Sequence, residues 1–314
     1  MTQIDLVIPT SITTGCYVSL AAVTGNIISN VVVLPIHPGG VTCVEQGRGS
    51  PITGAQILQN IQDTAAAGVL SVVQTNVTSS KGVLTATTSA GANFDHETGL
   101  LGGTGRSGII TPGGCWVAPA VDSGPLTIAG LNPGSVSLTG PAGLAIALPP
   151  FGAVDPGGYG ATLAAGAIPT SGGTFTFTGS GGADVGKFTA AVTFTNPIFN
   201  WTNQGAAATI VRAQGLTVTW TGGNPGTIVY IGGDLTVQRA TAESPGLIVG
   251  YGCRSAVEAG QFTVPSYILS GLPAGSGGTT VNHQIDLAFS ATGLDAWASP
   301  LTGEIEFSVP TTYQ

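Results

Sequence analysis

Alternation at period two dominates this chain. The run KFTAAVTFTNP sets Phe188, Ala190, Val192 and Phe194 against Thr189, Ala191 and Thr193, the pattern of a strand with one face in a core. Similar short runs recur as PLTIAGL, GSVSLTG, GLAIALP, GTFTFTG, LTVTWTG, GTIVYIG, DLTVQRA, LIVGYGC, QFTVP, IDLAFSA and GEIEFSV, separated by Gly, Pro and Asn turn signals. Strands so spaced predict β-sandwich architecture. Near the N-terminus QIDLVIP, CYVSLAAVTG and NIISNVVVLPI also read as strands, too few to close a sandwich and so leaving an open sheet edge.

One stretch departs from this period. In ITGAQILQNIQDTAAAG, Ile52, Ile57, Leu58 and Ile61 recur at helical spacing, Ser50 or Thr53 can cap the start and Gly68 can stop it. The spacing predicts one short helix near residues 52–67. VLSVVQTNV and GVLTATTSAGANF follow as a strand pair, and Gly222-Gly223-Asn224-Pro225-Gly226 predicts a hairpin between TVTW and TIVYI.

Composition fits an all-β chain. Glycine accounts for 50 of the 314 residues, proline for 20, and charged residues for only 7%, against a usual quarter, so solubility must rest on Thr, Ser, Asn and Gln. Seven Lys and Arg against fifteen Asp and Glu give a net charge of -8. No basic cluster exists to track a phosphate backbone, which argues against nucleic acid as a partner. No apolar run reaches the length of a helical membrane span, and MTQIDLVIPT has neither the basic nor the apolar region of a signal peptide.

The cysteines nevertheless point outside the cell. Cys16, Cys43, Cys115 and Cys253 lack C-x-x-C spacing and neighbouring histidine pairs, which argues against zinc. Their even number and the low charge suit disulfides in an oxidising compartment. Of the pairings available, Cys16 with Cys43 and Cys115 with Cys253 is favoured, because the first closes a short loop within one unit.

Motifs that suggest chemistry fail on context. Gly181, Gly186 and Lys187 follow the order of a phosphate-binding loop, but Phe188 stands where a magnesium-binding hydroxyl belongs and a strand follows. Gly103, Gly105 and Gly108 have dinucleotide-fingerprint spacing, but Ile109, Ile110, Thr111 and Pro112 cannot open the required helix. Asp95, His96 and Glu97 form the densest ionisable cluster; they would converge on a metal in a loop and diverge on a strand. Glu304 and Glu306 share one strand face opposite Ile305 and Phe307, and a glycosidase would need a second, separate carboxylate. Asp155, Asp184, Asp234 and Asp295 lie beside turns, the only candidates for calcium, and no other cofactor is expected. His37, His96 and His283 lie far apart and no G-x-S-x-G elbow occurs. Trp116, Trp201, Trp220 and Trp297 are candidates for a sugar-stacking platform, with Trp201 and Trp220 placed by alternation in the core.

Two sets of phrases resemble a known family. IPTSITTGCYVSLAAVTGNIISNVVVLPI is similar to the second half of an immunoglobulin-like IPT/TIG repeat. VDSGPLTIAG, GGADVGKFTAAVTF with NPIFNWTNQ, GLTVTWTGGNPG and AGQFTVPSYILSGLP resemble extracellular β-rich proteins of soil acidobacteria that have no assigned activity. The resemblance implies two or more immunoglobulin-like β-sandwich domains. The expected division is a partial immunoglobulin-like sheet over 1–37, a small helix-plus-strands domain over 38–120 and sandwich structure over 121–314, with an internal boundary near 204–215. The expected function is that of a non-enzymatic secreted or cell-surface structural or adhesive protein. The alternatives are a subunit of an extracellular homopolymer joined by strand complementation at the N-terminal sheet edge, and a carbohydrate-binding module with polysaccharide as partner.

Overall fold

The computed structural model describes residues 7, 15–20, 23–24, 27–28, 32–36, 64–98, 113–119, 127–152, 157–237, 247–295 and 298–314. Among these the chain is all-β. In order, the strands are β1 (Gly15–Leu20), β2 (Val23–Thr24), β3 (Ile27–Ile28), β4 (Val32–Ile36), β5 (Thr64–Thr78), β6 (Leu84–Thr98), β7 (Cys115–Pro119), β8 (Thr127–Gly130), β9 (Val136–Thr139), β10 (Ala145–Leu148) and β11 (Gly158–Leu163). They continue as β12 (Gly173–Gly179), β13 (Phe188–Phe194), β14 (Asn200–Trp201), β15 (Thr209–Ile210), β16 (Leu216–Thr221), β17 (Ile228–Val237), β18 (Leu247–Ala256), β19 (Gln261–Val264), β20 (Gly275–Ala288) and β21 (Pro300–Tyr313). A single turn of helix, α1 (Ser266–Leu269), follows β19.

A ten-stranded sheet organises the molecule in the order β11-β6-β5-β21-β20-β17-β18-β7, with β8 joined to β6 and β15 to β21. Smaller sheets are β10-β9-β12-β13 and β14-β16-β19, and β1 with β4 and β2 with β3 form two-stranded pairs. At the centre lies β21, antiparallel to β20 and parallel to β5. Its sequence explains its place. Leu301, Gly303, Ile305, Phe307, Val309, Thr311 and Tyr313 alternate onto one buried face, while the residues between them turn to the other.

Both smaller sheets pack on that buried face. From β13, Val192 and Phe194 press so closely on Gly303 that a Cβ there would stand 2.7 Å from Val192 Cγ2. Phe188 reaches Phe94 of β6 and Phe289, with ring centroids 5.5 and 5.4 Å apart. Beside this region Phe199 packs among Trp220, Phe307 and His283. These contacts merge into one continuous apolar core, whose removal from water is the main favourable term in holding the sheets together.

The strand expected after Lys187 is β13, with Phe188, Ala190, Val192 and Phe194 buried and Lys187 exposed. The glycine-rich turn before it is a strand connection, closed by Gly182 N–H donating to the Val185 carbonyl. Other expectations require correction. Residues 64–67, the end of the expected helix, begin β5 and pair with β6; residues 52–63 lie outside the described residues. Tertiary pairing overrides the helical propensity of Ala65–Ala67. The boundary expected near 120 runs through the large sheet, since β5, β6 and β7 share it with β17, β18, β20 and β21. Near 204–215, β15 adds onto β21. The turn at Gly222–Gly226 joins no hairpin: β16 belongs to the three-stranded sheet and β17 to the large one. Gly222 and Gly223 have φ of 71° and 94°, which suits a crossing between layers as well as a hairpin turn.

Candidate functional site

The disulfide between Cys115 and Cys253 lies on the buried face of the large sheet, joining directly paired residues of β7 and β18 across a sequence separation of 138. Both cysteines are buried. The bridge fixes the outermost strand at that end of the sheet. Cys16 lies in β1, and its expected pairing with Cys43 falls outside the described residues.

The candidate metal cluster is part of a strand. Asp95, His96 and Glu97 lie in β6, where alternation puts Asp95 and His96 on opposite faces. Asp95 is buried and accepts a short hydrogen bond from Asn93 Nδ2. No group of three or more His, Cys, Asp or Glu side chains arranged for a metal occurs among the described residues. Asp184 accepts from the Asn132 N–H at 2.8 Å and Asp295 from the Ala66 N–H at 3.1 Å, so the first ties two loops together and the second ties a loop to β5. Asp234 lies exposed on β17, and Asp155 falls outside the described residues. No described helix is long and apolar enough to cross a membrane.

The tryptophans separate into roles. Trp201 and Trp220 are buried, and their indole N–H groups donate to Asn203 Oδ1 and the Val257 carbonyl at 2.9 and 2.7 Å. Trp297 lies outside the described residues. Trp116 is half-buried on the outer face of the large sheet, with its Nε1 against Gly252.

Around Trp116 that outer face carries a concentration of polar and aromatic side chains. Arg254 of β18, Tyr230 of β17, Asn282 of β20 and Glu306 of β21 are partners in direct register, and the row continues through Thr75 and Thr87. Gln284 and Glu304 form the next row. Tyr230 lies along the sheet because Gly232 and Gly252 leave room: a Cβ at Gly252 would stand 2.5 Å from Tyr230 Oη and 2.7 Å from Trp116 Nε1. Burial raises the Tyr230 pKa, with the Arg254 charge opposing.

Glu304 accepts from Asn282 Nδ2 at 2.6 Å. Its burial, assisted by Glu306 and Asp286, raises its pKa to about 7, against the pull of the Asn282 hydrogen bond. Asn282 Oδ1 is shielded from solvent and has no hydrogen-bond partner among the described residues. The pairing of Glu304 and Glu306 on one strand face is legible in the sequence; Tyr230, Arg254, Asn282 and Gln284 join them only through cross-strand register.

His283 faces the opposite, buried side of the sheet. Its Nε2 accepts from the Asn224 N–H at 3.1 Å and lies 2.7 Å from Thr227 Oγ1, while Phe199 stacks on its ring. Burial lowers its pKa to about 4. An imidazole so enclosed holds the 222–227 crossing in place. Comparison with protein-family models finds none that matches this chain, and comparison with curated proteins finds no match either.

Proposed function

We propose that this is a non-enzymatic secreted or cell-surface protein with a structural or adhesive role. The observation that carries the reading is the buried Cys115–Cys253 bridge within the main sheet, since such bonds persist in oxidising compartments. The solvent-facing sides of the smaller sheets support it. They present Thr174, Thr178, Thr189 and Thr193 from β12 and β13, and Thr217 and Thr263 from β16 and β19, without charged side chains among them. Thr174 with Thr193 and Thr217 with Thr263 form cross-strand hydroxyl pairs at 2.8 and 2.9 Å, which rigidify a surface suited to contact more than turnover. The phrases resembling extracellular acidobacterial proteins, with their immunoglobulin-like repeats, fit the same setting.

A second reading is a homopolymer subunit. Among the described residues the β1–β4 pair is a two-stranded sheet, and so small a sheet has edges for a strand from another copy.

Fractionating producing cells and counting thiols under denaturing, non-reducing conditions tests the proposal. The expected result is protein outside the cytoplasm with Cys115 and Cys253 oxidised. A cytoplasmic protein with both thiols free overturns it. Sedimentation and electron microscopy at high concentration test the second reading, which fails if only monomers are found.

A further inference from the structure

We propose that the outer face of the large sheet binds an extended neutral polysaccharide, laid across the strands along the Arg254–Tyr230–Asn282–Glu306 row with Trp116 and Tyr230 as stacking surfaces. The inference deepens the adhesive reading and rests on it for where the glycan is met.

The row crosses neighbouring strands in register from β18 to β6. At the usual strand separation its span from Arg254 to Thr87 is about 24 Å, the dimension of an oligosaccharide and not of a small metabolite. The chemistry along it suits sugar. Asn282, Gln284, Glu304 and Glu306 offer planar amide and carboxyl groups that both accept from and donate to hydroxyls, or accept alone when ionised. Trp116 and Tyr230, settled over Gly252 and Gly232, present apolar ring surface with a polar edge. In the middle of the row Asn282 Oδ1 is an acceptor with no partner among the described residues, shielded from water; such an atom costs free energy until a donor reaches it.

Charge selects among glycans. Glu304, Glu306 and Asp286 share the face with Arg254 as the cation in the row, so a polyanionic chain meets net repulsion. A neutral chain does not. The Thr-covered faces of the smaller sheets lack aromatic side chains in their registers and offer no stacking surface.

Affinity electrophoresis of the full chain in gels containing xyloglucan, galactomannan or polygalacturonate tests this, with the variants Tyr230→Ala, Asn282→Ala and Gln284→Ala and the control Thr189→Ala. Circular dichroism establishes that each is folded, and Tyr230→Phe replaces Tyr230→Ala if the latter is not. The expected result is retardation by at least one neutral polysaccharide, weakened about tenfold, or about 1.4 kcal/mol, in the row variants and unchanged in Thr189→Ala. Retardation by polygalacturonate alone, equal retardation of all variants, or none in either neutral gel overturns the inference. Cell fractionation reads the adhesive proposal separately, so an extracellular protein that ignores both neutral glycans refutes only this inference.

Discussion

Phe199 stacks on His283 with ring centroids 5.5 Å apart and planes 19° from parallel, and the imidazole is wholly buried. The folded protein therefore holds this histidine neutral, with a pKa of about 4 against 6.5 for the free side chain. Below pH 6.5 the unfolded chain binds a proton that the folded chain refuses, so stability falls as pH drops from about 6.5 to about 4. His283→Gln should lower the melting temperature at neutral pH by loosening the 222–227 crossing, while flattening its decline across that acid window. Thermal melts at several pH values check this; an unchanged slope counts against the assignment.

Glu304 titrates in the opposite sense. Its folded pKa of about 7 lies above the model-compound value of 4.5, so the folded state retains a proton that the unfolded state has lost. Stability contributed by the neutral carboxyl is present below about pH 4.5 and lost as pH rises through about 7. Glu304→Gln keeps the shape and an acceptor for Asn282 Nδ2. It should raise the melting temperature by a few degrees at pH 8 and change it little at pH 4, as read by calorimetry at both values.

Replacing Cys115 and Cys253 together by alanine should destabilise the protein by about 2–5 kcal/mol, measured by denaturant unfolding. Because both sulfurs are buried, reductant should act slowly on the folded protein and readily on the denatured one. Equal midpoints for the variant and the oxidised parent would contradict the bridge.

Gly303 tests the packing between layers. Val192 Cγ2 and Phe194 Cζ lie 2.7 and 3.1 Å from where its Cβ would stand. Gly303→Val should cost about 1–3 kcal/mol through overpacking, visible as a lower urea midpoint. The companion change Val192→Ala should recover part of that loss.

Local alternation made some of this structure legible. The faces of β13, the burial of Trp201 and Trp220, the shared face of Glu304 and Glu306 and the Cys115–Cys253 pairing could all be read from sequence. Period two, however, states which side of a strand is buried and not which strand lies beside it. Asn76 donates to the Glu306 carbonyl across 230 residues, and no local signal announces that β5 and β21 run parallel. Tyr230 and Asn282 meet for the same reason. The turn at 222–226 misled because glycines with positive φ serve a hairpin and a change of sheet alike.

The parallel seam between β5 and β21 governs when this molecule can fold. The strands β11, β6 and β5 form one half of the large sheet, and β20, β17, β18 and β7 the other, with β21 between them. Since β21 follows every other described strand in sequence, the two half-sheets have bare inner edges until residues 300–313 pair with β5 and β20. Pairings of such sequence separation form slowly and leave strand edges open to aggregation meanwhile. Residues 300–313 thus decide when the two halves of the large sheet can join.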